Sequence, residues 1–352
     1  EMADAVAAAL ADKRHLVVEA GTGVGKSFAY LVPSILAATD PEHATVETDD
    51  GQTRNRRIII STHTISLQEQ LLGKDLPLLN SVIPREFSAV LVKGRANYLS
   101  QRRLKSALTR SATLFESTQE LEQLDAINQW AKDTTDGSRS TLPFQPNGSV
   151  WDEVASDSGN CMGPSCKTHK SCFYYRARRR MEHAQIIIVN HAMFFSDLAL
   201  RSQGVSVLPD YDAVILDEAH TVESVAGDHL GPSVSSGQVA YILKKLYNDR
   251  TNKGLLVDGR FDKAQRQVVD CYMAADQLFG DIMTWKEQHP KSNGRMHKKR
   301  TFQNALSPAL SKLAGMIRRI ASGIEDTSER KDYTSAVARL ETLSDAIHQW
   351  ME

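Results

Sequence analysis

Residues 16–27 read LVVEAGTGVGKS: a branched apolar run, a turn with glycine at every second position, then Lys26 and Ser27 opening the helical pattern SFAYLVPSILAA. A strand that empties into a glycine-rich turn and then a helix is the setting in which a phosphate loop works. Gly21, Gly23 and Gly25 let successive N–H groups converge on phosphate oxygens while the helix aims its positive end at the same point. The candidate phosphate-binding set is therefore Ala20, Gly21, Thr22, Gly23, Val24, Gly25, Lys26 and Ser27. Lys26 would neutralise the terminal phosphates and the Ser27 hydroxyl would ligate Mg²⁺. The competing reading is a strand-to-helix turn that binds nothing.

Working outward, the runs HLVVEA (15–20), RRIIIS (56–61) and FSAVLV (87–92) alternate with helical stretches, the grammar of a parallel α/β sheet. DPEHATVETDDGQTRN (40–55) reads as a polar surface loop. QIIIVNH (185–191) and YDAVILDEAH (211–220) restore two buried-type strands, the second ending in adjacent carboxylates. Open parallel sheets bind ligands at that end of a strand. Asp217 is suited to hold Mg²⁺ opposite Ser27, and Glu218 to polarise the water that attacks the γ-phosphate, so Lys26, Asp217 and Glu218 form the candidate catalytic set. His220 either couples nucleotide state to bound nucleic acid or caps the next helix.

The expected organisation is a RecA-like P-loop lobe in two parts, 1–95 and 185–234, interrupted by a cysteine-bearing insertion at 96–184 and followed by a helical domain at 235–352. In that last stretch Leu306, Leu310, Leu313, Ile317, Ile320 and Ile324 recur at spacings of three and four. The insertion carries CMGPSCKTHKSC (161–172), three of the four cysteines in the chain. Such clustering points to a metal or redox role rather than a disulfide framework. Cys161, Cys166, His169 and Cys172 form a local set that suits Zn²⁺. Cys271 shares a face with Val268 and Ala275 and reads as a buried small hydrophobe.

AGTGVGKS with DEAH resembles motifs I and II of superfamily 2 helicases, Ala20 being a variant first position met there. STHTISLQEQL, KGRANYL, WDEVASDSGNCMGPSC and IIIVNHAMFFSDL make residues 1 to 225 similar to the DinG-like branch of the XPD-type iron–sulfur DNA helicases. The resemblance implies Mg-ATP hydrolysis coupled to 5′ to 3′ movement on single-stranded DNA or forks, in a monomer of the bacterial cytoplasm associated with the nucleoid. It puts Thr62, His63 and Gln68 beside the DNA backbone, and the family's helical arch after the acidic box. It also implies a [4Fe–4S] cluster on four cysteines, of which Cys161, Cys166 and Cys172 are the later three. Ser100 occupies the position of the first. A serine ligand, a weakened three-cysteine cluster, a replaced cysteine, the zinc set with His169 and no metal at all remain open.

Formal charge is −1 (42 basic and 43 acidic residues), so affinity for nucleic acid must come from local patches. Arg102 and Arg103 with Lys105, and Arg176, Arg178, Arg179 and Arg180 beside Phe173, Tyr174 and Tyr175, are the candidates. The aromatics read more simply as local core. No apolar run reaches the roughly 18 residues of a membrane span. After residue 220 there is no second βα alternation and no QxxGRxxR-like stretch, so the expectation is an N-terminal motor half whose partner lobe lies elsewhere. Two other function classes stay in view: a P-loop ATPase switch without translocation, and a metal-stabilised single-stranded DNA-binding module.

Overall fold

The isoleucine-rich runs at 58 and 186 become the two central strands of a four-stranded parallel sheet. The computed structural model describes all residues except 22, 43, 48–50, 116, 202–203, 232, 293, 297–301 and 352. In chain order the elements are α1 (Met2–Asp12), α2 (Lys26–Ala38), β1 (Thr45–Glu47), β2 (Thr53–Asn55), β3 (Ile58–Thr62), α3 (Ile65–Gln70), α4 (Leu76–Val82) and β4 (Ala89–Leu91). There follow α5 (Gln101–Thr109), α6 (Ser111–Leu114), α7 (Thr118–Asp133), α8 (Gly148–Val154), α9 (Phe173–Met181), β5 (Ile186–Asn190), α10 (His191–Arg201) and β6 (Ala213–Leu216). The chain then becomes helical: α11 (Val222–His229), α12 (Ser236–Leu246), α13 (Asp262–Gln288), α14 (Leu306–Ser322) and α15 (Thr327–Met351).

Contacts divide the chain into two units, residues 1–94 with 173–231 and residues 95–172 with 232–352. In the first, the sheet order is β4-β5-β3-β6 and every pairing is parallel. Successive side chains of a strand point to opposite faces, and both faces here are covered. Ile58, Ile60, Ile186 and Ile188 pack with Leu31 and Ile35 of α2, whereas Ile59, Ile187 and Val189 pack with Met193, Phe194 and Phe195 of α10. A strand buried on both sides needs an unbroken apolar run rather than an alternating one, which is what IIIS and IIIV supply. The run 40–55 is a surface element as expected, but it contains the β1–β2 hairpin, registered Thr45 to Asn55.

One expected strand is missing. HLVVEA is not part of the sheet, and Leu16, Val17 and Val18 are exposed, Val17 at 95%. Strand propensity is realised only where an edge offers ladder partners, and β6, at the edge of the sheet, pairs with β3 alone.

In the second unit α5, α7 and α8 pack together, burying Leu104, Leu124, Ile127, Val150 and Trp151. The Trp151 indole N–H donates to the Ala96 carbonyl at 2.8 Å, which satisfies its one polar group. A larger apolar core joins α12 to α15, with Leu243, Val268, Leu310, Leu313, Ile317, Leu340 and Leu343 buried in it. Cys271 lies in that core and burial pushes its thiol up to about 12. The insertion and the C-terminal helices thus belong to one unit, and α9 falls with the sheet.

Candidate functional site

Gly25 caps the N-terminus of α2 at φ 85°, and Gly23 lies at φ 80°. Both are in the left-handed region that a Cβ disfavours, so glycine is what lets the loop close here. Thr22 lies outside the described residues. The Lys26 ammonium folds back to donate to the Ala20 carbonyl at 3.3 Å and sits 3.7 Å from the Glu218 carboxylate. Gly21, Gly23, Val24 and Gly25 are open to solvent, and Lys26 and Ser27 are half-buried.

The acidic box meets this loop across the fold. Asp217 follows β6, whose neighbour β3 donates no side chain but accepts the Asp217 N–H at the Ser61 carbonyl, 2.9 Å. One Asp217 carboxylate oxygen accepts from the Glu218 N–H at 3.0 Å and the other from the Tyr30 hydroxyl at 3.0 Å, a contact spanning 187 residues of sequence. Tyr30 is 2% exposed. Burial, then the neighbouring Asp217 charge, drives its hydroxyl far above the ordinary phenol range, while a hydrogen bond with Ser27 works the other way. Ser27, Tyr30 and Asp217 therefore form one connected chain of oxygens. Sequence reasoning missed Tyr30; the signal was its place three and four residues after Ser27 and Lys26 on one helix face. Glu218 adopts φ 53°, ψ 46°, a conformation that costs a non-glycine residue about 1–3 kcal/mol. His220 is 73% exposed, with Nδ1 3.5 Å from Glu218.

The residues expected beside nucleic acid separate. His63 is exposed, whereas Thr62 and Gln68 are buried, at 0% and 1%. The Thr62 hydroxyl donates to the Thr64 carbonyl, and the Gln68 amide has no hydrogen-bond partner among the described residues. Of the three, His63 is the one whose side chain is open to solvent. Arg102 and Arg103 are turned inward instead of presenting charge to solvent. Arg102 donates to Ser328 and to Asn160, and Arg103 to the carbonyls of Ala155 and Asp152 at 2.5 and 2.7 Å. The α9 arginines behave otherwise. Arg176 lies over the Phe173 ring, Arg178 donates to the Tyr174 hydroxyl at 3.3 Å, and Arg179 and Arg180 are exposed. Phe173 and Tyr174 are buried, so they are core and not stacking platforms.

The residues of the insertion considered as metal ligands each make local contacts. Ser100 is the N-cap of α5, its hydroxyl accepting from the Arg103 N–H. Cys161 Sγ accepts from the Gly163 N–H at 3.3 Å, and Cys166 Sγ is 3.3 Å from the Thr168 hydroxyl. All three cysteines are half-buried. Among the described residues no group of three or more His, Cys, Asp or Glu side chains is arranged to hold a metal ion. The oxygen set at the phosphate loop is different. Ser27 and Asp217 are hard donors of the kind Mg²⁺ takes.

A glycine-rich turn feeding a helix, with its lysine opposite an acidic pair at the C-terminal end of a parallel strand, is the arrangement of a P-loop lobe. The DEAD_2 family model matches residues 154–239. The ATP-dependent DNA helicase YoaA of Escherichia coli K12 is 33% identical over 248 residues, 70% of this chain and 36% of that protein. The ATP-dependent DNA helicase DinG of Photobacterium profundum is 34% identical over 241 residues, 66% of this chain and 33% of that protein. DinG of Mycobacterium tuberculosis H37Rv is 34% identical over 275 residues, 72% and 39% of the two chains. A solved structure described as truncated XPD overlays at a TM-score of 0.45 and 12% identity, covering 99% of this chain and 82% of that one. By these sequence matches the chain is similar to the DinG and YoaA helicases. It spans 36% and 33% of the YoaA and DinG relatives' own lengths. Among the described residues, no helix is long and apolar enough to cross a membrane.

Proposed function

We propose that this chain supplies the first motor lobe of an ATP-dependent DNA helicase that couples Mg-ATP hydrolysis to 5′ to 3′ movement on single-stranded DNA. The observation that carries the reading is the approach of the Lys26 ammonium to within 3.7 Å of Glu218, with Tyr30 tying α2 to Asp217. The α2 N-terminus and the open N–H groups of the glycine turn bind phosphate oxygens, and Lys26 exchanges its contacts with Ala20 and Glu218 for the terminal phosphates. Glu218, released from the lysine, is then available to orient and accept a proton from the attacking water. Ser27 and Asp217 are the residues that would hold Mg²⁺, which when bound neutralises charge developing on the phosphate oxygens. Tyr30 keeps the Asp217 carboxylate aimed at that position.

Lys26→Ala in the full-length protein is expected to lower DNA-stimulated ATP hydrolysis by at least about 100-fold, the scale of losing a charged transition-state contact. Glu218→Gln is expected to lower kcat similarly while retaining nucleotide binding. Hydrolysis that survives both substitutions would remove the motor reading.

A further inference from the structure

Three polar groups lock together at the C-terminal ends of β3, β5 and β6, and the mechanism above uses only one of the residues that carry them. His191 immediately follows β5 and is fully buried. Its Nε2 is 2.8 Å from the Asp217 backbone carbonyl, and its Nδ1 is 2.7 Å from the Ser61 hydroxyl. A carbonyl only accepts, so Nε2 carries the hydrogen and Nδ1 accepts from Ser61. Ser61 in turn accepts the Asp217 N–H on its own carbonyl at 2.9 Å. Ser61, His191 and Asp217 thus close a ring of three hydrogen bonds across three strands, and both backbone polar groups of Asp217 belong to it.

Ser61 is also the residue before Thr62 and His63. His63 is exposed, and its ring centroid stands 6.3 Å from that of His191. A displacement of residues 62–64 acts directly on Ser61 and on the imidazole. The imidazole has no slack to absorb it, because it is packed on all sides and bonded at both nitrogens. A buried polar network with every member satisfied behaves as a rigid unit with few alternative arrangements. What moves at the end of β3 is therefore passed to the main chain of Asp217, and through Asp217 to its carboxylate and to the Glu218 N–H that bonds it. The exposed His220 touches only the side-chain end of this system, at Glu218.

We infer that His191 is the positioning residue that transmits nucleic-acid occupancy at the end of β3 to the acidic box, making hydrolysis responsive to the bound strand. The inference deepens the helicase reading and rests on it. It assigns the exposed loop after β3 as the sensing end, Ser61 as the strand-side arm and the Asp217 carbonyl as the nucleotide-side arm.

In the full-length protein, ATP hydrolysis is measured with and without saturating single-stranded DNA for the wild type, Ser61→Ala, His191→Gln and His191→Leu. Folding is followed by thermal unfolding and DNA affinity by fluorescence anisotropy. Ser61→Ala cuts the strand-side arm and leaves the Asp217 contact. It is expected to keep the DNA-free kcat, the KM for ATP and the DNA affinity within about twofold while stimulation by DNA falls about tenfold, the scale of one buried hydrogen bond. His191→Gln retains a donor toward the Asp217 carbonyl and is expected to behave like Ser61→Ala. His191→Leu removes both arms and is expected to lower the DNA-free rate too; glutamine therefore rescues that rate without rescuing stimulation. Wild-type stimulation in Ser61→Ala and His191→Gln overturns the relay. An equal fall of the stimulated and DNA-free rates in Ser61→Ala overturns it as well, since that marks a contact that merely holds the fold. Failure of the wild type to hydrolyse ATP with or without DNA is a separate result, visible before any variant is compared, and sinks the helicase reading itself.

Discussion

At the scale of single residues, the Tyr30 hydroxyl shows how a side chain outside a motif can complete it. Its oxygen holds Asp217 from a helix that begins with Lys26. Tyr30→Phe keeps the ring in the core and deletes only that oxygen. The expected result is a loss of about 1 kcal/mol in stability and a kcat about tenfold lower at little-changed KM for ATP, checked by thermal unfolding and steady-state hydrolysis. A KM effect alone would mean that the hydroxyl orients nucleotide instead of carboxylate. The loop glycines, Lys26, Asp217 and Glu218 stand out in the sequence as candidates because the residue types at those positions are dictated by local backbone geometry and charge. Tyr30 and His191 do not, because an apolar-looking helix position and an NH pair after a strand acquire meaning only from partners at Asp217 and Ser61, far away in the chain.

At the scale of elements, α5 separates charge in a sequence from charge on a surface. QRRLK reads as a basic patch, yet the Arg102 and Arg103 side chains are each 12% exposed and spent on carbonyls and on Asp332 and Glu153. Binding to single-stranded DNA is expected to distinguish them from α9: Arg179→Ala lowers the slope of log affinity against log salt by about 1, whereas Arg103→Ala destabilises the fold and leaves that slope alone. Anisotropy titrations at several salt concentrations check both. Ser100→Ala removes the cap of α5 and is expected to cost about 1 kcal/mol, with no change in iron content. Iron loss on that substitution would make the hydroxyl a ligand after all. HLVVEA teaches the converse lesson. Its composition announces a strand, but a strand is a relation between two segments, and the edge that would receive it is not a property of those six residues.

At the scale of the whole molecule, the parallel sheet and the helical C-terminal stretch were readable from periodicity alone, because burial on one face or two leaves a repeat in the residues themselves. The division into units was not. Residues 95–172 and 232–352 are joined by polar contacts that no periodicity encodes: Arg339 with Asp157, Arg110 with Asp332 at 3.3 Å, and Lys245 with Glu153 at 2.7 Å. They surround a cavity of about 100 Å³ lined also by Arg103 and Asn160. Burial alone would raise Glu153, but Lys245, Arg103 and Arg110 together hold it below its ordinary 4.5. A carboxylate depressed on folding contributes its full stability above its unfolded value and loses it as pH falls through the folded one. Unfolding monitored by near-ultraviolet circular dichroism is therefore expected to show the second unit weakening below about pH 4.5, ahead of the sheet, with Glu153→Gln removing much of that dependence.

The contact between Asp157 and Arg339 bridges 182 residues. A ribosome adding about 5–20 residues per second takes roughly 10–40 s to travel that distance, and for that interval the newly made insertion has its arginines and carboxylates but not their counterparts. Its helices must wait, charged and half-assembled, until residues 232–352 emerge to supply the other half, which leaves the insertion exposed to chaperones and proteases during synthesis.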